Sequence, residues 1–384
     1  MKSLQLATTY LEHSLKGKYI HLETILPLLE KFTPIFHITK IGFSVQNKPI
    51  YQVKIGNGKT KIMMWSQMHG NEPTTTKALF DFFNFMASDS DLAQQIKNQY
   101  TLLCIPILNP DGAFAYTREN ANKVDLNRDA LEATQPEMQV LHDVFKRFKP
   151  NYCFNLHDQR TIFGTQGFNL PATVSFLAPA FNKERTYNEV RLKAIHIINK
   201  MNSALQYYIP NQIGRFDDGY NVNCTGDYFT TQNIPTILFE AGYFQNDYAR
   251  DESRKFIFIA LLSSFSLNNE NVIVDNELSN YLNIPQNNKC FYDIIYKNVK
   301  IIDENIEKIV NFAAQYEEVL VEDKIQFIAK ISKVSDLEEF SGLIEYDCES
   351  MLFSADGVNK PEVGKNATFY LNTLTEFSNG VKII

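Results

Sequence analysis

Apolar residues are distributed along the chain as short continuous runs that alternate with longer stretches of helical periodicity. The continuous runs predict strands over 62–65, 100–108, 152–156 and 234–239, and residues 41–55 predict a hairpin. Apolar positions three and four apart predict helices over 74–87, 136–148, 183–206 and 251–267. Because strands and helices of this length alternate, we predict an α/β fold with a mixed, largely parallel sheet that carries helices on both faces.

The pattern changes after an Asn-rich stretch over 268–289. Beyond this stretch, strand-like segments over 324–331, 342–346 and 367–371 predominate, and one helix is predicted around 302–316. We therefore predict a boundary near residue 285. The α/β domain would span 1–285, and a small β-rich accessory domain would span 286–384.

The composition is that of a globular protein, with 44% hydrophobic and 21% charged residues. A formal net charge of −7 gives no reason to expect nucleic acid or an anionic membrane surface as a partner. The apolar residues near the N-terminus are interrupted by polar ones, and no apolar stretch approaches the ~18 residues of a membrane span. We therefore expect neither a signal peptide nor a transmembrane segment, and we predict a cytoplasmic location.

The cysteines are odd in number, lie far apart and form no Cys-x-x-Cys pair. This usage indicates reduced thiols, and it argues against a disulfide framework or a cysteine-based zinc site. Candidate metal ligands are therefore sought among histidines and carboxylates. The five cysteines are Cys104, Cys153, Cys224, Cys290 and Cys348.

Two histidines follow predicted strands and are accompanied by a nearby carboxylate. His69 and Glu72 are three residues apart just beyond the strand over 62–65, and His157 ends the strand over 152–156. Two imidazoles and one carboxylate are a ligand set of catalytic zinc sites with an open fourth position. A His-x-x-Glu spacing alone is common by chance, so the other polar segments are needed to support a metal site.

Three further positions carry candidate chemistry. Arg118 and Arg128 lie in a polar stretch after the strand over 100–108, and an arginine fork binds carboxylates and polarises carbonyl groups; the alternative is a solvated loop of mixed charge. Glu240 directly follows an apolar run, where a carboxylate is unusual. It is either a structural ion-pair partner at a strand end or a general base close to a metal.

Five segments occur in the order found in the zinc carboxypeptidases of carboxypeptidase A type, which this chain resembles over roughly residues 40–265. The similarity looks closest to their bacterial, murein-peptide-amidase-like branch, in which Arg-x-Asn leads into Val-Asp-Leu-Asn-Arg. The segments are His69-Gly70-Asn71-Glu72, Asn109-Pro110-Asp111-Gly112, Arg118-x-Asn120 through Asp125-Leu126-Asn127-Arg128, Asn155-Leu156-His157 and Phe239-Glu240.

The resemblance implies a zinc-dependent carboxypeptidase that binds one zinc ion per chain through His69, Glu72 and His157. It also implies that Glu240 is the general acid/base. Its substrate would be a peptide with a free C-terminal carboxylate. Three further roles follow: Arg118 polarises the scissile carbonyl, Asn127 and Arg128 hold the terminal carboxylate, and Tyr220, with Tyr228 as its rival, is the family's mobile tyrosine.

One departure and two alternatives stand beside this interpretation. The family usually continues Asn-Arg-Asn-Phe, whereas this chain continues Asn127-Arg128-Asp129-Ala130, and we expect Asp129 to point away from the clamp into a salt bridge. The first alternative is an N-acyl amino acid deacylase of the succinylglutamate desuccinylase and aspartoacylase type, which has a similar histidine segment and a C-terminal β domain. The second is a catalytically silent peptide- or metal-binding protein. The preferred C-terminal residue and the oligomeric state stay open.

Overall fold

The computed structural model of the protein describes residues 2–265 and 274–383. Within these ranges the chain separates into two compact units. Unit 1 holds Met1–Gln159 and Thr165–Asn287, and unit 2 holds Arg160–Gly164 and Asn288–Ile384. The end of the helix predicted over 251–267 and part of the Asn-rich stretch lie outside the described residues.

The α-helices of the described residues all lie before residue 283. In addition, Leu126–Arg128 form a short 3₁₀ helix. In chain order the α-helices are α1 (Lys2–Thr9), α2 (Leu22–Phe32), α3 (Thr74–Met86), α4 (Asp91–Gln99), α5 (Pro110–Ala115), α6 (Pro136–Phe148), α7 (Glu189–Gln206), α8 (Thr225–Thr231), α9 (Ser253–Ser264) and α10 (Val274–Leu282).

The strands are distributed over both units. Up to residue 241 they are β1 (His37–Phe43), β2 (Pro49–Ile55), β3 (Thr60–Ser66), β4 (Tyr100–Ile105), β5 (Tyr152–Asp158), β6 (Phe163–Thr165), β7 (Leu170–Pro171), β8 (Val174–Leu177), β9 (Ile213–Arg215) and β10 (Thr236–Ala241). Later strands are β11 (Asn287–Lys289), β12 (Phe291–Asp303), β13 (Ile306–Val321), β14 (Lys324–Val334), β15 (Ser341–Asp347), β16 (Phe353–Ser354), β17 (Phe369–Leu371), β18 (Thr375–Ser378) and β19 (Val381–Lys382).

Unit 1 is built on an eight-stranded mixed sheet in the order β1-β2-β4-β3-β5-β10-β8-β9. Strands β4, β3, β5 and β10 run parallel to one another at its centre. Strand β2 pairs antiparallel with β1 and β4, and β8 pairs antiparallel with β10 but parallel with β9. The prediction of a mixed sheet with a parallel centre is confirmed. A parallel centre matters for function because the carboxyl ends of neighbouring strands meet at one edge.

Helices cover both faces of this sheet, as the continuous apolar strands predict. Along β3, Ile62 and Met64 face one hydrophobic core, and Met63 and Trp65 face the other. The first core takes apolar residues from α1, α2, α3, α7 and α9, and the second takes them from α6 and α8. The residues from Ile62 to Trp65 are therefore buried whichever way they point, and the sheet gives the site a rigid base.

Most predicted elements of unit 1 are confirmed, with shifts at their ends. The hairpin over 41–55 is β1 and β2, which pair antiparallel, and the helix over 136–148 is α6. The helix predicted from residue 183 begins only at Glu189, after the Asn188 side chain accepts a hydrogen bond from the backbone of Arg191. A cap of this kind fixes the start of a helix irrespective of apolar spacing upstream.

Unit 2 contains two four-stranded sheets, in the orders β14-β13-β12-β15 and β16-β17-β18-β19. The helix predicted around 302–316 is wrong, because β12 ends at Asp303 and β13 begins at Ile306. Glu304 and Asn305 join these strands with φ values of 51° and 63°. Two consecutive residues with positive φ make the tight turn that suits a twisted hairpin, and here that turn contains no glycine.

The hydrophobic core of unit 2 is largely aromatic. Tyr296 stacks on Phe312 with a ring-centroid distance of 4.4 Å, and Phe369 stacks on Phe377 at 4.7 Å. No helix in the described parts of the chain is both long and apolar enough to cross a membrane.

Candidate metal centre and active site

The sequence-predicted site residues of unit 1 gather at the carboxyl ends of three adjacent parallel strands. His69 follows β3, His157 lies near the end of β5, and Glu240 lies near the end of β10. In the register of β5 and β10, Glu240 is the partner of His157. The fold thus brings together groups that are more than eighty residues apart in the sequence.

Glycine is required in the turn that carries His69 and Glu72. The turn is closed by a hydrogen bond from the Glu72 backbone N–H to the His69 carbonyl. A side chain at Gly70 would place its Cβ only 1.9 Å from the carbonyl carbon of Gly112. The ligand turn and the Asn109–Gly112 segment therefore touch through their backbones, which explains the glycine at residue 70; at residue 112 a Cβ would instead lie 2.4 Å from Asn109 Nδ2.

The imidazoles of His69 and His157 face each other across the Glu72 carboxylate. Their Nδ1 atoms are 3.1 Å apart, and each lies 2.8 Å from an oxygen of Glu72. His69 and His157 are 1% and 2% exposed. One ligand atom from each residue lies within 4.8 Å of the others, so the three groups form a compact cluster.

This cluster fits a zinc ion. Two imidazole nitrogens this close repel each other unless a proton or a cation lies between them. A buried carboxylate beside them adds negative charge that a divalent cation would balance. Two histidines and one glutamate are also a donor set that zinc takes in hydrolytic sites. Among the residues that the structure describes, no other group of histidine, cysteine and acidic side chains meets the same criterion.

The charges of the cluster shift the pKa values of its members in opposite directions. Burial alone would raise the pKa of Glu72, but the two histidines hold it well below its usual range. Burial lowers the pKa of His157 and favours its neutral form. Burial acts in the same direction on His69, but Glu72 and Asp125 outweigh it and raise the pKa of this residue. An ionised glutamate and a neutral His157 are the forms that bind a metal.

Asp125 is a site residue for which sequence reasoning assigned no role. Its Oδ1 lies 3.0 Å from His69 Nε2, and its Oδ2 accepts a hydrogen bond from Arg118 Nε at 3.0 Å. Its Oδ1 also accepts a hydrogen bond from the backbone of Asn127. A carboxylate behind a ligand histidine fixes the tautomer and the orientation of the ring. Its position in the Asp125–Arg128 motif was the one signal that could have revealed this role.

Arg118 reaches the same cluster from the other side of Asp125. Its Nη1 lies 3.2 Å from both Glu72 Oε1 and His69 Nδ1. The Arg118 side chain is 41% exposed, whereas that of Glu72 is 12% exposed. Arg118 therefore places a permanent positive charge between the cluster and the solvent, where a bound carbonyl oxygen could receive its hydrogen bonds.

The Glu240 carboxylate is held close to the cluster without being paired. Its Oε2 is buried and has no hydrogen-bond partner within the described part of the chain. Burial and the neighbouring carboxylates of Glu72 and Asp158 raise the pKa of Glu240 well above its usual value. A structural ion pair, one of the two sequence interpretations, is not formed with any described residue. An unpaired buried carboxylate with a raised pKa is a typical proton-transfer group.

The predicted carboxylate clamp is connected to the start of α8. Asn127 Oδ1 accepts a hydrogen bond from the Thr225 backbone at 2.8 Å. Arg128 is exposed, and its Nη1 donates to the Asn127 carbonyl and to Cys224 Sγ. The Asp129 carboxylate points away from the clamp, but the predicted salt bridge is wrong. The carboxylate instead accepts hydrogen bonds from the backbone amides of residues 134 and 135.

Tyr220 lies in the segment before α8 and is partly exposed. Its rival Tyr228 instead stacks on the buried His142 ring at 4.8 Å, which ties it to the hydrophobic core beneath the clamp. Asp158, next to His157, accepts a hydrogen bond from the Thr74 backbone at the start of α3, and its own backbone N–H donates to Glu72 Oε2.

Comparison with known families shows the family to which the chain belongs. Residues 23–242 match the family model described as zinc carboxypeptidase. The chain belongs to the zinc carboxypeptidase family. The matched residues include the two histidines and the two glutamates at the strand ends, so the region that matches the family and the cluster described above coincide in this member.

Two curated relatives match only part of the chain. Carboxypeptidase 2 of Trichophyton rubrum is 28% identical over 127 residues, which are 33% of this chain and 22% of that protein. Gamma-D-glutamyl-L-diamino acid endopeptidase 1 of Lysinibacillus sphaericus is 34% identical over 92 residues, which are 22% of this chain and 23% of that protein. The chain thus covers less than a quarter of either relative.

Solved structures support the carboxypeptidase fold of unit 1. A metallo-carboxypeptidase from Burkholderia cenocepacia has a TM-score of 0.50 at 16% identity, covering 63% of this chain and 67% of its own. Thrombin-activatable fibrinolysis inhibitor has a TM-score of 0.51 at 13% identity, covering 69% of this chain and 79% of its own. At these identities the similarity concerns the fold.

Proposed function

We propose that the protein is a zinc-dependent metallocarboxypeptidase that hydrolyses the C-terminal amide bond of peptides. The observation that carries this proposal is the Glu240 carboxylate, whose buried Oε2 has no hydrogen-bond partner within the described part of the chain, beside a cluster of two histidines and one glutamate. A metal site without such a carboxylate would be consistent with simple metal binding. With it, the site has both parts that amide hydrolysis by water requires, an electrophilic centre and a base.

His69, Glu72 and His157 would hold the zinc ion. When bound there, zinc supplies Lewis acidity toward a carbonyl oxygen and lowers the pKa of a water towards about 7. Asp125 keeps His69 oriented through its contact with Nε2. The remaining chemistry belongs to Glu240 and to the arginines around the cleft.

Glu240 takes a proton from the attacking water and returns it to the leaving nitrogen. Its raised pKa supports this role, because a carboxyl group that titrates closer to neutral pH can both accept and donate a proton during turnover. Arg118 stabilises the oxyanion that develops on the scissile carbonyl. One donor of this kind contributes roughly 3–4 kcal/mol in comparable sites.

Asn127 and Arg128 bind the terminal carboxylate of the substrate. Arg128 is exposed and its guanidinium fork matches a carboxylate in geometry and charge. A clamp at this position makes the enzyme cut only the last bond, since only that carbonyl then lies at the metal. Tyr220 covers the bound residue from the segment before α8. The division into a catalytic domain over 1–285 and an accessory domain over 286–384 is part of this proposal.

Purified full-length protein loaded with zinc should be assayed against a panel of N-acetylated dipeptides that differ in their C-terminal residue. N-acyl amino acids, including N-succinyl-glutamate and N-acetyl-aspartate, form the second panel. We expect hydrolysis of the dipeptides, lost when the terminal carboxylate is amidated. Hydrolysis of N-acyl amino acids alone would favour the deacylase, and hydrolysis of neither would favour a silent binding protein.

A further inference from the structure

A buried carboxylate that the proposed mechanism does not use lies under the segment that carries Tyr220. Asp227, in the first turn of α8, is 5% exposed. Its Oδ2 accepts a hydrogen bond from the Asn221 backbone N–H at 2.9 Å. The backbone of Ala180 also donates to its carboxylate. Asp227 thus joins two loops, one of which continues directly from Tyr220.

Asn221 is fixed by more than this contact. Its carbonyl accepts a hydrogen bond from the Cys224 backbone at 2.8 Å, and its side chain accepts one from the Asn223 backbone at 3.0 Å. The Tyr220 hydroxyl, by contrast, has no hydrogen-bond partner among the residues described. The backbone immediately after Tyr220 is therefore anchored, whereas the tyrosine hydroxyl is not held by a hydrogen bond within the described residues.

The anchored segment is also attached to the carboxylate clamp. The Ala130 backbone donates a hydrogen bond to the Asn223 carbonyl at 3.2 Å, and Thr225 donates to the Asn127 side chain. A displacement of Asn221 would therefore change the position of Tyr220 relative to the clamp.

Burial of the ionised Asp227 carboxylate at this position costs free energy of folding. Burial, with a contribution from the nearby Asp218 carboxylate, raises its pKa to about 6 although the backbone hydrogen bonds and Arg191 act in the opposite direction. The Arg191 guanidinium instead donates to Asp218 at 2.9 Å. A buried carboxylate that only bridges backbone amides, without a direct arginine or lysine partner, is more readily explained by what it positions than by what it stabilises.

We propose that Asp227 is a positioning residue for Tyr220. Its carboxylate fixes the backbone at Asn221. The backbone of Tyr220 therefore keeps a constant position relative to Asn127 and Arg128 when the tyrosine contacts the C-terminal residue of the substrate. This inference rests on the proposed function, because it needs a peptide substrate held at the clamp. Asp227 itself contacts backbone amides and is not assigned any contact with the substrate.

The test is a double-mutant cycle on the zinc-loaded full-length enzyme, with the best N-acetylated dipeptide of the panel as substrate. Asp227→Asn should lower kcat/KM by about tenfold or more, since a misplacement of about 1 Å in a positioning group can cost about a hundredfold. In a Tyr220→Phe background, the same substitution should lower kcat/KM by no more than about twofold. The shared loss would show that Asp227 acts through the tyrosine hydroxyl.

Asp247→Asn is the matched control. Asp247 is also a buried aspartate that accepts hydrogen bonds from backbone amides, at the start of α9. Its effect on kcat/KM should be equal in the wild-type and Tyr220→Phe backgrounds, whatever its effect on stability. Hydrogen exchange should show faster exchange of the Asn221 amide in Asp227→Asn, with the α9 amides unchanged.

Equal losses from Asp227→Asn in both backgrounds, or no loss at all, would overturn the inference while leaving the proposed function intact. An unchanged exchange rate at Asn221 would overturn it as well. Failure of the proposed function looks different, because the zinc-loaded wild-type enzyme would then cleave no dipeptide of the panel.

Discussion

Glu240 and His157 are register partners on adjacent parallel strands, so that the proposed general base and a proposed metal ligand lie side by side in the sheet. Neither residue can shift along its strand without breaking the backbone hydrogen bonds of β5 and β10. The separation between base and metal is thereby set by the sheet rather than by loops, which gives the proposed proton transfer a fixed geometry.

The first prediction concerns the base. Glu240→Gln keeps the size of the side chain and removes its ability to accept the proton, so kcat should fall by a factor of at least about 10³. Zinc content measured by mass spectrometry should stay at about one ion per chain. Residual activity within tenfold of wild type would reject Glu240 as the base.

The second prediction concerns the metal. His157→Ala should abolish zinc binding and activity together, because two ligands cannot hold zinc in a three-ligand site. The matched control is His196→Ala, since His196 also contacts a carboxylate, Glu277, at 2.7 Å but lies on α7. We expect the control to retain about one zinc per chain. Zinc retained in His157→Ala would contradict the proposed ligand set.

The third prediction concerns Asp125. Asp125→Asn should weaken zinc binding by about 10- to 100-fold, because the His69 ring loses its charged partner. Competition with a chelator of known affinity measures this change. Asp129→Asn, four residues away, provides the comparison: its carboxylate accepts hydrogen bonds from loop amides and touches no imidazole. Equal effects from the two substitutions would remove the case for a special role of Asp125.

The fourth prediction separates the two arginines. Arg118→Ala should lower kcat by roughly 10²- to 10³-fold with a smaller change in KM, because Arg118 acts on charge that develops in the transition state. Arg128→Ala should chiefly raise KM, since the terminal carboxylate is present before the reaction begins. Steady-state kinetics on one dipeptide measures both. The reverse pattern would exchange their assigned roles.

The fifth prediction follows from the pKa of Asp227, which is raised in the folded state to about 6 from 3.8. The folded protein binds this proton more tightly than the unfolded chain, so the associated stability is present below about pH 3.8 and is lost as the pH rises through about 6. Asn cannot titrate. The free energy of unfolding of Asp227→Asn minus that of wild type should therefore increase between pH 4 and 7.5, by on the order of 2–3 kcal/mol.

Urea denaturation with chelator present in both samples measures this difference without a contribution from zinc. A difference that is flat with pH would mean that Asp227 titrates normally. Combined with the kinetic cycle, a variant that is more stable near neutral pH but less active would place Asp227 among residues whose function opposes stability.

The proximity of the two proposed histidine ligands could be predicted from sequence because their positions follow a simple rule. His157 ends an apolar run and His69 follows one closely, and the carboxyl ends of neighbouring parallel strands share one edge of a sheet. Asp125 and Asp227 could not be assigned in this way. The contacts of both carboxylates depend on how loops and turns fold, and the pattern of apolar residues does not predict such contacts.

The error at 302–316 has a different origin. Residues 306–316 place apolar side chains at spacings that satisfy both a helix and a strand, so periodicity alone does not decide. The turns at Glu304-Asn305 and Glu322-Asp323 bound β13 on both sides, and both have positive φ values without glycine. Because acidic and amide residues are ordinary in helices as well, the sequence lacked the turn signal that would have favoured a strand.

The contact between Gly70 and Gly112 has a consequence for any attempt to move this chemistry elsewhere. A β-carbon at residue 70 would lie only 1.9 Å from the carbonyl carbon of Gly112, so the two turns pack directly against each other through their backbones. If the four-residue ligand turn were grafted alone onto another scaffold, it would lose the backbone around Gly112 against which it packs. The smallest transplantable part of this site is therefore a pair of turns that follow separate strands, together with the spacing between them.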